Sequence, residues 1–331
     1  MIPYNEFKKN VEEIANKTHI EEQKNIQSND ITFIDLFCGV GGVRTGFSEN
    51  GFKCVFSSDI NNFSRYTYYA NYGVAPVGDI TKIKANEIPK HDILCAGFPC
   101  QPFSKVGKRE GFKHKTQGTM FHEVLRIADY HKPKVVFLEN VEGLVNHDEG
   151  NTFKVVIDSL NDLGYKCFYE VINSADFGLP QRRRRIYIVA IYNFDKSFTF
   201  PQEKRHVDIG NFIEKDQPYL ANYKISEHLQ KSYLFKKPDG LPEIINDKSK
   251  GHVKTLLASY YKIQRLTGTF VQDENHGLRL LSEKECKAIM GFPEEFVIPV
   301  SRTQMYKQMG NSVTIPVVKA IAKQIKKEIF K

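Results

Sequence analysis

No stretch of the chain approaches the roughly 20 consecutive apolar residues that a membrane-spanning helix requires. The opening MIPYNEFKKNVEEIANK likewise lacks the apolar core of a secretory signal. These two absences predict a cytoplasmic protein with no membrane partner. The six cysteines (Cys38, Cys54, Cys95, Cys100, Cys167 and Cys286) form no Cys-x-x-Cys pair, and no Cys/His cluster has zinc spacing. A zinc site is therefore not expected, and in a reducing cytoplasm the thiols read as free, mostly buried small groups. Internal repeats and low-complexity tracts are absent as well. Acidic residues are in deficit: 47 Lys and Arg against 39 Asp and Glu leave a net charge of +8. A basic surface favours polyanions, of which nucleic acid is the usual one.

What is present is an ordinary globular composition, 41% hydrophobic and 26% charged, on 331 residues. That length suits one large domain and a smaller one. Residues 1–30 are polar and form an N-terminal extension, in which Phe7, Val11 and Ile14 have the spacing of a short amphipathic helix. From Thr32, apolar runs of strand length alternate with helical stretches. The strands are expected at Ile34–Phe37, Cys54–Ser58, Ile93–Ala96, Val135–Leu138 and Ile186–Ile191. Between them lie RTGFSEN, FSRYTYYANYG, TMFHEVLRIADYH and TFKVVIDSLNDLG. This texture predicts an α/β fold with a mostly parallel sheet covered on both faces. The alternation fades after Pro201. We expect a catalytic, cofactor-binding domain over 31–204, a smaller irregular domain over 205–293, and a return to the first domain over 294–331. In the last segment Ile315, Val318, Ala322 and Ile325 line one helical face.

Ligands of open parallel sheets bind beyond the carboxyl ends of the strands. Here the successive strands are followed by CGVGG, by Asp59, by GFPC and by ENV, with GDI at Gly78–Ile80 as a further candidate. One edge would thus carry a glycine loop, a carboxylate, a thiol and a second carboxylate. Asp59 stands about 20 residues beyond Gly39, the spacing at which an acid after the second strand accepts from ribose hydroxyls. An adenosine-containing cofactor follows. The glycines of GVGGVRTG do not match the G-x-G-x-x-G of a dinucleotide-binding dehydrogenase. The run QRRRRIYIVAI leads into a strand, so Arg183 and Arg185 would share one face and Arg182 and Arg184 the other.

Taken together, FIDLFCGVGG, GDIT, DILCAGFPCQPFS, GTMF, FLENV, QRRRRIY, RLLSEKECKAIMGFP and YKQMGNSV resemble, in order and spacing, the bacterial-type DNA cytosine-5 methyltransferases. The likeness runs from about Phe33 to Phe330. It implies a Rossmann-like S-adenosylmethionine-dependent mixed sheet with helices on both faces, plus a small target-recognition domain facing it across a DNA cleft. It also implies S-adenosylhomocysteine as product and no metal. Cys100 resembles the nucleophile, Glu139 the residue that holds and protonates cytosine, and Arg183 and Arg185 the arginines that orient the base. Phe37, Cys38, Gly39, Val40, Gly41 and Gly42 match the cofactor loop and Asp59 the ribose acid. Ile60, Asp79 and Ile80 match the adenine surroundings, and Gly97, Pro99, Met120, Asn311 and Ser312 the rest of the pocket.

Two positions depart from the family pattern. Ile60 stands where tryptophan is common, and Arg184 where glutamate is common. The stretch after Cys100, SKVGKREGFKHKTQG, carries five lysines and arginines at 105–115. It reads as a hinged loop closing on DNA, with Gln101, Ser104, Lys105, Lys108 and Arg109 as contacts. The resemblance implies a monomeric, nucleoid-associated enzyme that flips its target base out of duplex DNA, with a cognate endonuclease as functional partner. An RNA (tRNA) methyltransferase and a catalytically silent DNA-binding relative are the alternatives.

Overall fold

The computed structural model describes residues 2–99 and 119–331. Cys100 and the loop residues Gln101, Ser104, Lys105, Lys108 and Arg109 lie outside the described residues. The chain divides into two compact units. The first comprises Met1–Ile172, Arg184–Pro201 and Val318–Lys331; the second comprises Asn173–Arg183 and Gln202–Val317.

The first unit opens with α1 (Tyr4–Gln23), then β1 (Thr32–Leu36), α2 (Gly42–Ser48), β2 (Lys53–Ser58), α3 (Asn62–Tyr72) and β3 (Ile93–Ala96). It continues with α4 (Met120–His131), β4 (Val135–Val141), α5 (Asn151–Asp162), β5 (Tyr165–Asn173) and β6 (Arg184–Tyr192). Its sheet has the order β2-β1-β3-β4-β6-β5. The β1–β2, β1–β3 and β3–β4 pairs are parallel, and β6 runs antiparallel to β4. The sheet is therefore mixed, as the resemblance implies.

Burial explains why these runs are strands. Alternate residues of β1, β3 and β4 (Ile34, Leu36, Leu94, Ala96, Val136, Leu138) pack with Phe121, Val124 and Leu125 of α4 and Val156 and Leu160 of α5. On the opposite register, Phe33 and Phe137 both meet Phe47 of α2, and Phe137 stacks on Tyr187. Strands with apolar side chains on both sides read as unbroken apolar runs, which is what periodicity detected. β5 escaped that test. Most of its residues are only partly covered, with Lys166 and Tyr169 exposed, as suits a strand at the sheet edge. The expected short N-terminal helix is a full 20 residues long, burying Phe7, Val11, Ala15, Thr18 and His19.

The second unit holds a small sheet, β7 (Glu243–Ile245), β8 (Thr269–Asp273) and β9 (Gly277–Arg279), followed by α6 (Glu283–Met290) and α7 (Arg302–Asn311). The helix α8 (Ile315–Ile329) starts in this unit and ends in the first. In the second unit Arg279, at the end of β9, is fully buried, pairing with Glu285 at 2.8 Å and Asp273 at 3.0 Å. The carboxylates supply the charge and hydrogen bonds that a buried guanidinium demands. No helix among the described residues is long and apolar enough to cross a membrane.

Candidate active site

The carboxyl edge of the first unit's sheet gathers most of the expected residues. β1 runs into a tight loop in which Phe37 adopts φ 55° and Gly41 φ 90°. Gly41 is fixed twice over, because a Cβ there would also lie 2.3 Å from the Tyr72 ring. Tyr72, from α3, donates its hydroxyl to Gly41 O at 2.8 Å and meets Thr45 Oγ1 at 2.7 Å. Arg44 lies over the Tyr72 and Tyr68 rings, at 4.6 and 5.3 Å. These braces were not expected from the glycines alone. The available signal was the tyrosine-rich helix α3, whose Tyr68 and Tyr72 are four residues apart and so share a face.

β2 delivers Asp59. Its carboxylate accepts from the N–H of Gly39 at 2.8 Å and of Asn61 at 2.7 Å, which locks the acid against the glycine loop. Burial pushes this carboxyl above the usual range, and the two N–H groups oppose the shift. Ile60 beside it is 75% exposed. Asp79 turns its carboxylate onto Thr81, which holds its pKa low. The Ile80 side chain is part of the core, and its carbonyl accepts from Arg126 at 3.3 Å. Cys38 is buried, and burial raises its thiol well above the usual range. Val40 and Gly42 are also buried, and Met120, at the start of α4, is half-buried.

β3 ends in Gly97–Phe98–Pro99, with Pro99 exposed. Glu139 sits within β4 rather than after it, and its neighbour Asn140 donates to Phe98 O at 2.9 Å, tying this loop down. A Cβ on Gly97 would stand 3.8 Å from Glu139 Oε2. Because β6 is antiparallel to β4, it brings its first residues to the edge where β4 finishes, and Val141 pairs with Arg185. Arg185 Nε consequently lies 3.3 Å from Glu139 Oε1, both side chains being largely buried. The charge of Arg184 is met by Glu142 at 2.9 Å, and that contact lowers the Glu142 carboxyl.

The other expected residues belong to the second unit. Arg183 is buried, and its guanidinium donates to Leu256 O at 3.1 Å, Gly310 O at 3.0 Å and Ser312 O at 2.6 Å. Gln181 works beside it, accepting from Leu256 N–H at 2.7 Å and donating to Ile289 O at 3.2 Å. Asn311 ends α7 and is exposed, while Ser312 caps it. The expected alternation along QRRRR holds, with Arg182 and Arg184 exposed and Arg183 and Arg185 inward.

A glycine loop locked to an acid and a carboxylate–arginine pair thus stand on the carboxyl edge of one α/β sheet. The fold is shared with the Dnmt2 methyltransferase of S. pombe, at TM-score 0.74 and 20% identity over 91% of this chain and 100% of that one. It is shared too with the Entamoeba histolytica methyltransferase EhMeth, at TM-score 0.71 and 20% identity. Residues 31–327 match the C-5 cytosine-specific DNA methylase family. Type II methyltransferase M.MspI of Moraxella sp is 60% identical over 97% of this chain and 76% of its own length. M.BsuFI of Bacillus subtilis is 51% identical over 95% of this chain and 77% of its own length. The chain belongs to the C-5 cytosine-specific DNA methylase family.

Proposed function

We propose that this protein methylates carbon 5 of a cytosine within a specific duplex DNA sequence, as the modification half of a restriction–modification pair. The observation that carries the reading is the Glu139–Arg185 pair, held beside the Gly97–Pro99 loop that leads directly into Cys100.

The residues present fit S-adenosylmethionine. Gly39, at φ 55°, has open space where a Cβ would sit, so a ligand can approach the backbone. Asp59 retains acceptor capacity for ribose hydroxyls, and Ile60 offers an exposed apolar face to adenine. When bound, that group supplies an electrophilic methyl. This chain's own residues do the rest. The Cys100 thiolate adds to carbon 6 of the flipped cytosine, turning the ring into an enamine nucleophilic at carbon 5. Glu139 protonates ring nitrogen 3 as negative charge builds there, and Arg185 orients the base and holds the carboxyl in place. After methylation a base removes the carbon 5 proton, the carbon–sulfur bond breaks, thiolate leaves, and nitrogen 3 returns its proton to Glu139. Loop residues Gln101, Ser104, Lys105, Lys108 and Arg109 would steady the DNA. The second unit would read sequence through base edges and phosphates.

Tritiated methyl transfer to duplex DNA tests the reading. Wild-type protein should label DNA and not tRNA, and Cys100→Ala should label neither while still binding DNA. Labelled tRNA would favour an RNA substrate, and DNA binding without labelling by the wild type would favour a silent relative.

A further inference from the structure

We propose that the N-terminal helix α1 is a working part of the cofactor site, and that His19 is the residue through which it positions Asp59. The proposal rests on the cofactor reading above.

β2 is an edge strand, so its outward backbone groups need partners from outside the sheet. α1 supplies them. His19 Nε2 accepts from the Ser57 N–H at 3.0 Å and lies 3.3 Å from Ser57 Oγ, and Gln23 Nε2 donates to Val55 O at 3.3 Å. The tautomer follows from the contacts: Nδ1–H donates to Ala15 O at 2.9 Å, leaving the lone pair on Nε2 for Ser57. Burial, with Arg44 and Arg65 nearby, holds this ring down at about 4, so it is neutral and able to accept.

Besides Gln23, three polar residues of α1 reach three different segments, each carrying or adjoining an expected cofactor contact. His19 holds Ser57, two residues before Asp59. Thr18 Oγ1 accepts from Ala75 N–H at 3.1 Å, at the head of the segment leading to Asp79. Glu22 pairs with Arg44, two residues after Gly42 of the glycine loop. The first two segments are stitched to each other as well: Val77 N–H donates to Ser57 O at 2.9 Å and Asp59 N–H to Val77 O at 3.0 Å. Displacing His19 therefore releases the strand end and the strap that together set the backbone of Asp59. A helix serving only to cover apolar surface would need Phe7, Val11 and Ala15 but no buried polar residues aimed at these backbone groups.

Calorimetric titration of the full chain with S-adenosylhomocysteine tests this without recourse to turnover. His19→Leu, similar in size but without an acceptor, should weaken binding about tenfold or more. His19→Gln, whose side-chain carbonyl can accept from Ser57, should restore affinity to within about threefold of wild type, and DNA binding in gel shifts should be unchanged in both. Unaltered affinity in His19→Leu, or equal losses in His19→Leu and His19→Gln, would overturn the proposal. Should His19→Leu fail to fold, Glu22→Gln must itself weaken binding several-fold, and wild-type affinity in that variant would overturn it. Failure of the wild type to bind would refute the cofactor reading instead.

Discussion

Replacing Arg183 separates two roles that the sequence alone cannot tell apart. The motif suggests an arginine that touches the base, whereas the geometry is that of a brace. Three carbonyls, at Leu256, Gly310 and Ser312, converge on one buried guanidinium. Hydrogen bonds to a charged group contribute about 1.5–3 kcal/mol each, and removing the donor strands each acceptor. Simple addition overshoots, because the desolvation of the guanidinium is relieved at the same time. The benchmark for breaking a buried charged network is about 3–5 kcal/mol. Arg183→Met should lose that much. With a urea slope of about 3 kcal/mol/M, the unfolding midpoint would fall by about 1–1.7 M. Arg183→Lys keeps the charge but not the fork, so it should lose roughly half as much. Circular dichroism in urea reads stability, and methyl transfer below the transition reads function. The bracing account predicts that activity falls in step with the folded fraction. A wild-type midpoint in Arg183→Met, with turnover in Arg183→Lys down by two orders of magnitude, would refute it.

Two further outcomes follow from the first unit. Glu139→Gln removes the proton donor to the ring and the charge opposite Arg185; methyl transfer should fall by about 10²–10³ while S-adenosylhomocysteine binding stays within error, and retained turnover would exclude the assigned role. Burial, partly offset by Arg44, pushes the Asp35 carboxyl up to about 8. The folded chain thus keeps a proton that the unfolded chain releases above the ordinary carboxylate range. This contribution to stability is whole below about pH 4 and is lost as pH rises toward 8, at no more than about 1.4 kcal/mol per pH unit. Asp35→Asn should flatten that slope, as thermal midpoints from pH 5 to 8 would report, and an identical slope in the variant would count against the assignment.

The sheet was legible because its central strands are covered on both faces, and an unbroken apolar run such as Ile93–Ala96 is hard to mistake once helices alternate with it. The same logic explains the miss at β5, where an edge position permits lysine and glutamate and erases the signal. Within the site, the order of motifs pointed to one sheet edge, and the Glu139–Arg185 contact was reachable by reasoning, since strand alternation turns Arg185 inward. Its cause was not, because nothing local in the sequence says that β6 runs antiparallel to β4. Braces acting over long sequence separations were also hidden. Tyr72 on Gly41, Asn140 on Phe98 and Arg183 on Ser312 are tertiary contacts to backbone atoms, which carry no residue-type signature. The partners of the polar residues of α1 were hidden for the same reason.

The central claim is cytosine-5 methylation of DNA through Cys100. Bisulfite or nanopore mapping of DNA from cells expressing this chain tests it most directly, with Cys100→Ala as the paired control. The account predicts 5-methylcytosine at one cytosine of a single short sequence throughout the genome, and none with the variant. Absence of 5-methylcytosine with the wild type, or equal methylation with Cys100→Ala, would contradict it.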